Sequence, residues 1–220
     1  MMIKSANVTK VERQACVPEP LIANGFNKAA ILPYGLKVEY IRKAMQDFLD
    51  FIALINLQLH KQKMSRFEKV IMQANFSSLV GEFVKASIPR YCRHLVQNKY
   101  HNGHPDLIPA GVFPGDSVQH ASEGIEIKSS RYYQGWQGHN PEDTWLMVFV
   151  YDSNSPEDAE PIRPFSFKMV VGAPIKQEDW AFSGRKGASR RTITASVKKS
   201  GRQKMKDNWI YYGPGVSRTS

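Results

Sequence analysis

The chain has 220 residues, 42% of them hydrophobic and 23% charged, a globular composition that excludes a disordered chain. One domain, or a core with an appendage, is expected at this length, and no apolar run approaches the roughly 18–20 residues of a membrane span, so a membrane is not expected as a partner. The formal net charge of +10 is uneven: residues 1–175 carry 19 Lys and Arg against 17 Asp and Glu, whereas residues 176–220 carry 11 against 3.

From the N-terminus, residues 1–34 read as an irregular arm punctuated by Pro18, Pro20, Gly25 and Pro33. The first twelve residues lack the apolar core of a secretory signal, and Cys16 and Cys92 make neither a zinc spacing nor a disulfide framework. Both features predict a cytoplasmic protein. Leu36 to His60 predicts a long helix, with Ile41, Met45, Phe48, Ile52 and Leu59 on one side. Phe51, Leu54, Ile55 and Leu57 extend apolar surface most of the way round. Such a helix is either central to the core or, over 35–64, a candidate dimer interface. A second helix is expected from Ser65, with Ser65–Glu68 as a capping box, to just before Pro89.

The texture then changes. Ile108 to Phe113, Gly124 to Ser129, Thr144 to Tyr151, Ser166 to Ala173 and Thr192 to Val197 read as strands, rich in β-branched and aromatic residues. Helices first and strands afterwards predict an α/β or α+β domain, a central mixed β-sheet flanked by helices.

The chemistry is expected between His104 and Arg131. In Gly124-Ile125-Glu126-Ile127-Lys128, Ile125 and Ile127 face a core while Glu126 and Lys128 face the other way, side by side. A carboxylate there can hold a hard divalent cation, and an ammonium beside it can orient or deprotonate an attacking water. The bland alternative is a strand salt bridge. A second acid is needed. Asp106, at the start of an apolar run twenty residues earlier, can reach Glu126 through a hairpin; Asp116, in the Pro114-Gly115 loop, is its rival.

Pro105-Asp106 followed by Glu126-Ile127-Lys128 resembles the PD-(D/E)xK nuclease superfamily, and the length and texture look most like a type II restriction endonuclease. The resemblance covers about residues 65–173, the expected catalytic core of a single endonuclease domain. It implies that Asp106 and Glu126 bind Mg2+ (Mn2+ substituting), that the Ile127 carbonyl completes the coordination and that Lys128 serves the water. It also implies a glutamate from the preceding helix, for which Glu82 is the best match; Glu68 is more simply explained by the helix dipole.

Around this core, Arg131 is expected to bind phosphate. Tyr132, Tyr133 and Trp136 are either core or a platform near DNA, and His139 a structural or DNA-contacting residue. Between Arg185 and Lys206 lie nine basic residues and no acid, which favours a polyanionic partner over a merely solvated face. Within this expected DNA-recognition segment, 174–220, Arg185, Arg190, Arg191, Arg202 and Gln203 are candidates for base contact. Lys186, Lys198, Lys199, Lys204 and Lys206 are candidates for phosphate. The leading expectation is a Mg2+-dependent, sequence-specific endonuclease that cuts double-stranded DNA as a homodimer. The alternatives are a structure-selective nuclease (a junction resolvase or repair nickase) and a non-catalytic DNA-binding regulator.

Overall fold

The computed structural model describes residues 10–138, 140–158, 161–182 and 194–216. The apolar spacing of the first long segment produces α1 (Val38–Lys61), which buries Ile41, Ala44, Met45, Phe48, Leu49 and Ile52. Its apolar girth is only partly used, because Leu54 stays 58% exposed. The second helix, α2 (Gln73–Ser87), begins eight residues later than the expected cap at Ser65 and has no side-chain cap. The capping box is therefore corrected: Phe67–Lys69 forms a separate 3-10 turn. The reason is electrostatic. Glu68 is buried and held by Arg66 and by Asn56 Nδ2 at 2.9 Å, rather than standing free at a helix end. Arg66, itself buried, also reaches Glu12, Asn154 and the Arg163 carbonyl, so no charge is left uncompensated.

Strands follow as β1 (Leu95–Gln97), β2 (Leu107–Pro109), β3 (Ile125–Ser130), β4 (Gln137–Gly138), β5 (Thr144–Asp152), β6 (Ser166–Ile175), β7 (Trp180–Phe182) and β8 (Ala195–Val197). They are followed by helix α3 (Lys199–Asp207) and strand β9 (Trp209–Tyr212). β2 is shorter than expected, because Pro109 has no N–H to continue the ladder and Gly111 turns the chain at φ +72°. The long central strands β5 and β6 fall within one or two residues of their expected bounds. β1, β4, β7, β9 and α3 were not anticipated.

The central sheet is mixed, ordered β1-β2-β3-β5-β6-β9, with β3 and β5 parallel and the other neighbours antiparallel. β5 is buried on both faces, which its near-continuous run Trp145 to Tyr151 reflects. On one face, Ile125, Ile127, Met147, Phe149 and Phe167 pack with α1 and α2. On the other, Val148, Val171 and Ile175 pack with Met205 of α3 and with Trp180 and Val197 from a small sheet ordered β4-β8-β7. The N-terminal arm straps this assembly: the Glu19 backbone N–H donates to the Phe165 carbonyl, the Asn27 backbone N–H to the Ile210 carbonyl, and the Phe26 ring lies tilted with its centroid 4.5 Å from that of Tyr211. No helix among the described residues is long and apolar enough to cross a membrane.

Candidate active site

Alternation along β3 puts Glu126 and Lys128 on the face opposite Ile125 and Ile127, as the sequence predicts. The expected hairpin also forms, since β2 runs antiparallel to β3 through Leu107 and Ile125. Its junction depends on Gly124, whose φ of +146° and close approach to the Leu107 carbonyl leave no room for a Cβ. Asp106 therefore stands directly before β2, and its Oδ2 accepts the backbone N–H of Ile127 at 2.8 Å.

Four of the expected residues, Glu82, Asp106, Glu126 and Lys128, line one open cleft of about 1130 Å³. A smaller depression of about 170 Å³ between α2 and β3 reaches Asp106, Lys128 and the Ile127 position. Lys128 Nζ contacts Glu126 Oε1 directly. Glu82 is the most exposed of the four at 66%, and pairs with Lys85 at 2.6 Å; Lys85 in turn lies 3.5 Å from Asp106 Oδ1. Asp116 is not part of this group, because its carboxylate is engaged by Lys99 and the Gly111 N–H.

Two acids so placed do not titrate alike. Burial, then the Glu126 charge, push Asp106 up to about 6, against the opposing pull of Lys128, the Ile127 N–H and Lys85. Burial works in the same direction on Glu126, but a hydrogen bond from His104 and the charge of Lys128 overcome it and hold Glu126 at about 2. Burial lowers the Lys128 ammonium, yet Glu126 and Asp106 outweigh it and raise its pKa above the ordinary value. An acid pair whose second member resists ionisation beside the first has an electrostatic deficit that a divalent cation removes. The donor set, two carboxylates next to a strand backbone, fits the hard oxygen chemistry of Mg2+.

Sequence reasoning missed three residues that line the cleft. His104 Nδ1 lies 3.1 Å from Glu126 Oε2, and its Nε2 lies 3.1 Å from Glu142 Oε2. His120 stands beside it, with the rings 5.5 Å apart. His104 is two residues before Asp106, a spacing that could have flagged it. Glu142 carried no local signal, because only the parallel pairing of β3 with β5 brings it near.

The other expected contacts are dispersed. Arg131 pairs with Asp158 at 2.9 Å. Trp136 is core, whereas Tyr132 and Tyr133 are exposed. Lys198 donates to the Glu178 carbonyl, Arg202 to the Val197 carbonyl, Gln203 to Asp207 and Lys204 to Asp179. These residues and the exposed Lys199 do not line the cleft. Arg185, Lys186, Arg190, Arg191 and His139 lie outside the described residues. No family model and no curated protein matches this chain.

Proposed function

We propose that the chain is a Mg2+-dependent endonuclease of double-stranded DNA with a PD-(D/E)xK type of catalytic core. One observation carries this reading: Asp106, directly before β2, and Glu126 and Lys128 on β3 converge on the wall of one cleft, with Glu82 on the adjacent helix. A bound Mg2+ would supply Lewis-acid stabilisation of the phosphate charge. Asp106 and Glu126 would hold it, with the Ile127 carbonyl as the third protein oxygen. Lys128, an ammonium already paired with Glu126, would orient the attacking water by donating a hydrogen bond to it. Glu82 and Lys85 position Asp106 from the helix side. In-line attack by that water would form a new P–O bond and break the P–O3′ bond, with the water's proton released to solvent and the departing 3′ oxygen protonated from solvent, leaving 5′-phosphate and 3′-hydroxyl ends.

Sequence selection would rest on Arg185, Arg190 and Arg191, which lie outside the described residues. A structure-selective nuclease is the second reading. It is favoured by the donation of the Arg202 guanidinium to the Val197 carbonyl, which ties one candidate base reader to the protein's own backbone.

Incubation of linear and branched DNA with the protein and Mg2+, against EDTA controls, tests both. Discrete Mg2+-dependent fragments from linear DNA are expected, and mapped ends give the site. Cutting confined to branch points selects the second reading. Binding with no cutting in Mg2+ or Mn2+ overturns both and leaves a DNA-binding regulator.

A further inference from the structure

We propose that His104, His120 and Glu142 form a separate cation site in the cleft, suited to a divalent transition metal such as Zn2+ rather than to Mg2+. The backbone builds the pair of histidines. His104 and His120 face each other in an isolated parallel bridge, with the His104 N–H donated to the Gln119 carbonyl at 3.0 Å and the Ala121 N–H to the His104 carbonyl at 2.9 Å. One ligand atom from each of His104, His120 and Glu142 lies within 4.8 Å of the others.

The orientation of His104 is the second observation. Its Nδ1 lies 3.1 Å from Glu126 Oε2 and its Nε2 3.1 Å from Glu142 Oε2, so a cation held on Nε2 would leave Nδ1–H donated to Glu126. A carboxylate behind a ligating histidine is the arrangement that fixes the ring and strengthens it as a donor. Nε2 is buried and has no hydrogen-bond partner, although Glu142 Oε2 lies only 3.1 Å away. Two lone-pair donors thus point into one space. The other oxygen of Glu142 accepts from Asn140 Nδ2 at 3.1 Å, which holds the carboxylate in place.

Two imidazoles and one carboxylate are a borderline ligand set. It distinguishes this site from the all-oxygen pair of Asp106 and Glu126. Three protein ligands also leave a fourth position open to the cleft, for water or a phosphate oxygen. The inference does not depend on DNA cleavage, and its test uses no DNA.

The full-length protein, stripped with EDTA, is titrated with Zn2+ by calorimetry and with Co2+ by visible absorption. One equivalent is expected, with the intense visible d–d band of four-coordinate Co2+. Asp106→Ala should retain this binding. His120→Ala and the isosteric Glu142→Gln should each weaken it by about ten-fold or more, with unchanged circular dichroism. Absence of Zn2+ binding by the parent overturns the site. So does Zn2+ binding that disappears in Asp106→Ala but survives in both His120→Ala and Glu142→Gln, because the ion would then sit on the acid pair. Cleavage failing while Zn2+ still binds refutes the endonuclease reading alone.

Discussion

Asp106 Oδ2 accepts the Ile127 N–H at 2.8 Å, so the first acid is tied to the very strand that carries the second. The bond crosses the β2–β3 hairpin and leaves Asp106 Oδ1 towards Lys85. The spacing of the acid pair therefore depends on backbone geometry at the hairpin and not on two independent side-chain rotamers.

Metal binding should show in stability. The native state holds a proton on Asp106 up to about pH 6, whereas the ordinary value is 3.8. The folded chain thus binds more protons across that window, and metal-free stability falls as pH rises through it. At pH 7.5, Mg2+ at a hundred times its Kd should add about 2.7 kcal/mol, or roughly 5–11 °C in Tm. Asp106→Asn should melt at or above the metal-free parent and lose the Mg2+ response. Thermal scans with Mg2+ and EDTA decide it; an unchanged response in Asp106→Asn refutes the ligand assignment.

Gly124→Ala should harm both fold and site. A Cβ there would lie 2.2 Å from the Leu107 carbonyl oxygen and 2.3 Å from Pro105 Cγ. We expect a loss of more than about 2 kcal/mol in urea unfolding, with weakened Mg2+ binding. Gly111→Ala is the control: its φ is also positive, but its Cβ would meet open space. It should lose only about 1–2 kcal/mol and keep its Mg2+ affinity.

Lys128→Ala should slow cleavage by about 10²–10³-fold, the usual worth of one positioned electrostatic donor, while duplex affinity in Ca2+ is retained. Single-turnover rates and binding isotherms measure the two separately. Cleavage near the parental rate would remove Lys128 from the reaction.

Asp179 anchors α3 from outside the site. It is buried, and burial alone would raise its pKa. Hydrogen bonds from Lys204 at 2.6 Å, the Lys176 N–H at 3.1 Å and Ser200 at 3.0 Å more than offset this and hold it below the ordinary 3.8. Its contribution is therefore complete above pH 3.8 and disappears as pH falls through the lowered native value. Asp179→Asn should cost about 1–3 kcal/mol at pH 7 and progressively less below pH 3.8. Urea midpoints across this range test the convergence.

A homodimer is expected, because two-fold related sites suit a two-strand cut. The exposed Leu54 on the outer side of α1 is the surface to test. Light scattering of the DNA-free parent and Leu54→Glu should give a dimer and a weakened dimer; a 25.0 kDa species for the parent, and a mass of one chain plus duplex when DNA is added, overturns it.

The sequence by itself determined α1, the long central strands, and the placement of Glu126 and Lys128 opposite Ile125 and Ile127. Those features rest on local periodicity, which a single segment carries. It also identified Asp106, because a strand preceded by an acid needs only a hairpin to meet the next strand. The tertiary structure alone decided the rest of the site. Glu142 reaches His104 through a parallel pairing between strands that are not consecutive in sequence, and His120 does so through a bridge between loops, neither of which leaves a periodic trace. Glu68 became a buried partner of Arg66 instead of a cap, because compensating a buried guanidinium outweighs a helix-end preference. The basic residues Lys198, Arg202 and Lys204 follow the same logic. Their charge was visible in the sequence, but their partners, two backbone carbonyls and Asp179, were set by packing α3 against β8 and the turn at Gln177–Asp179.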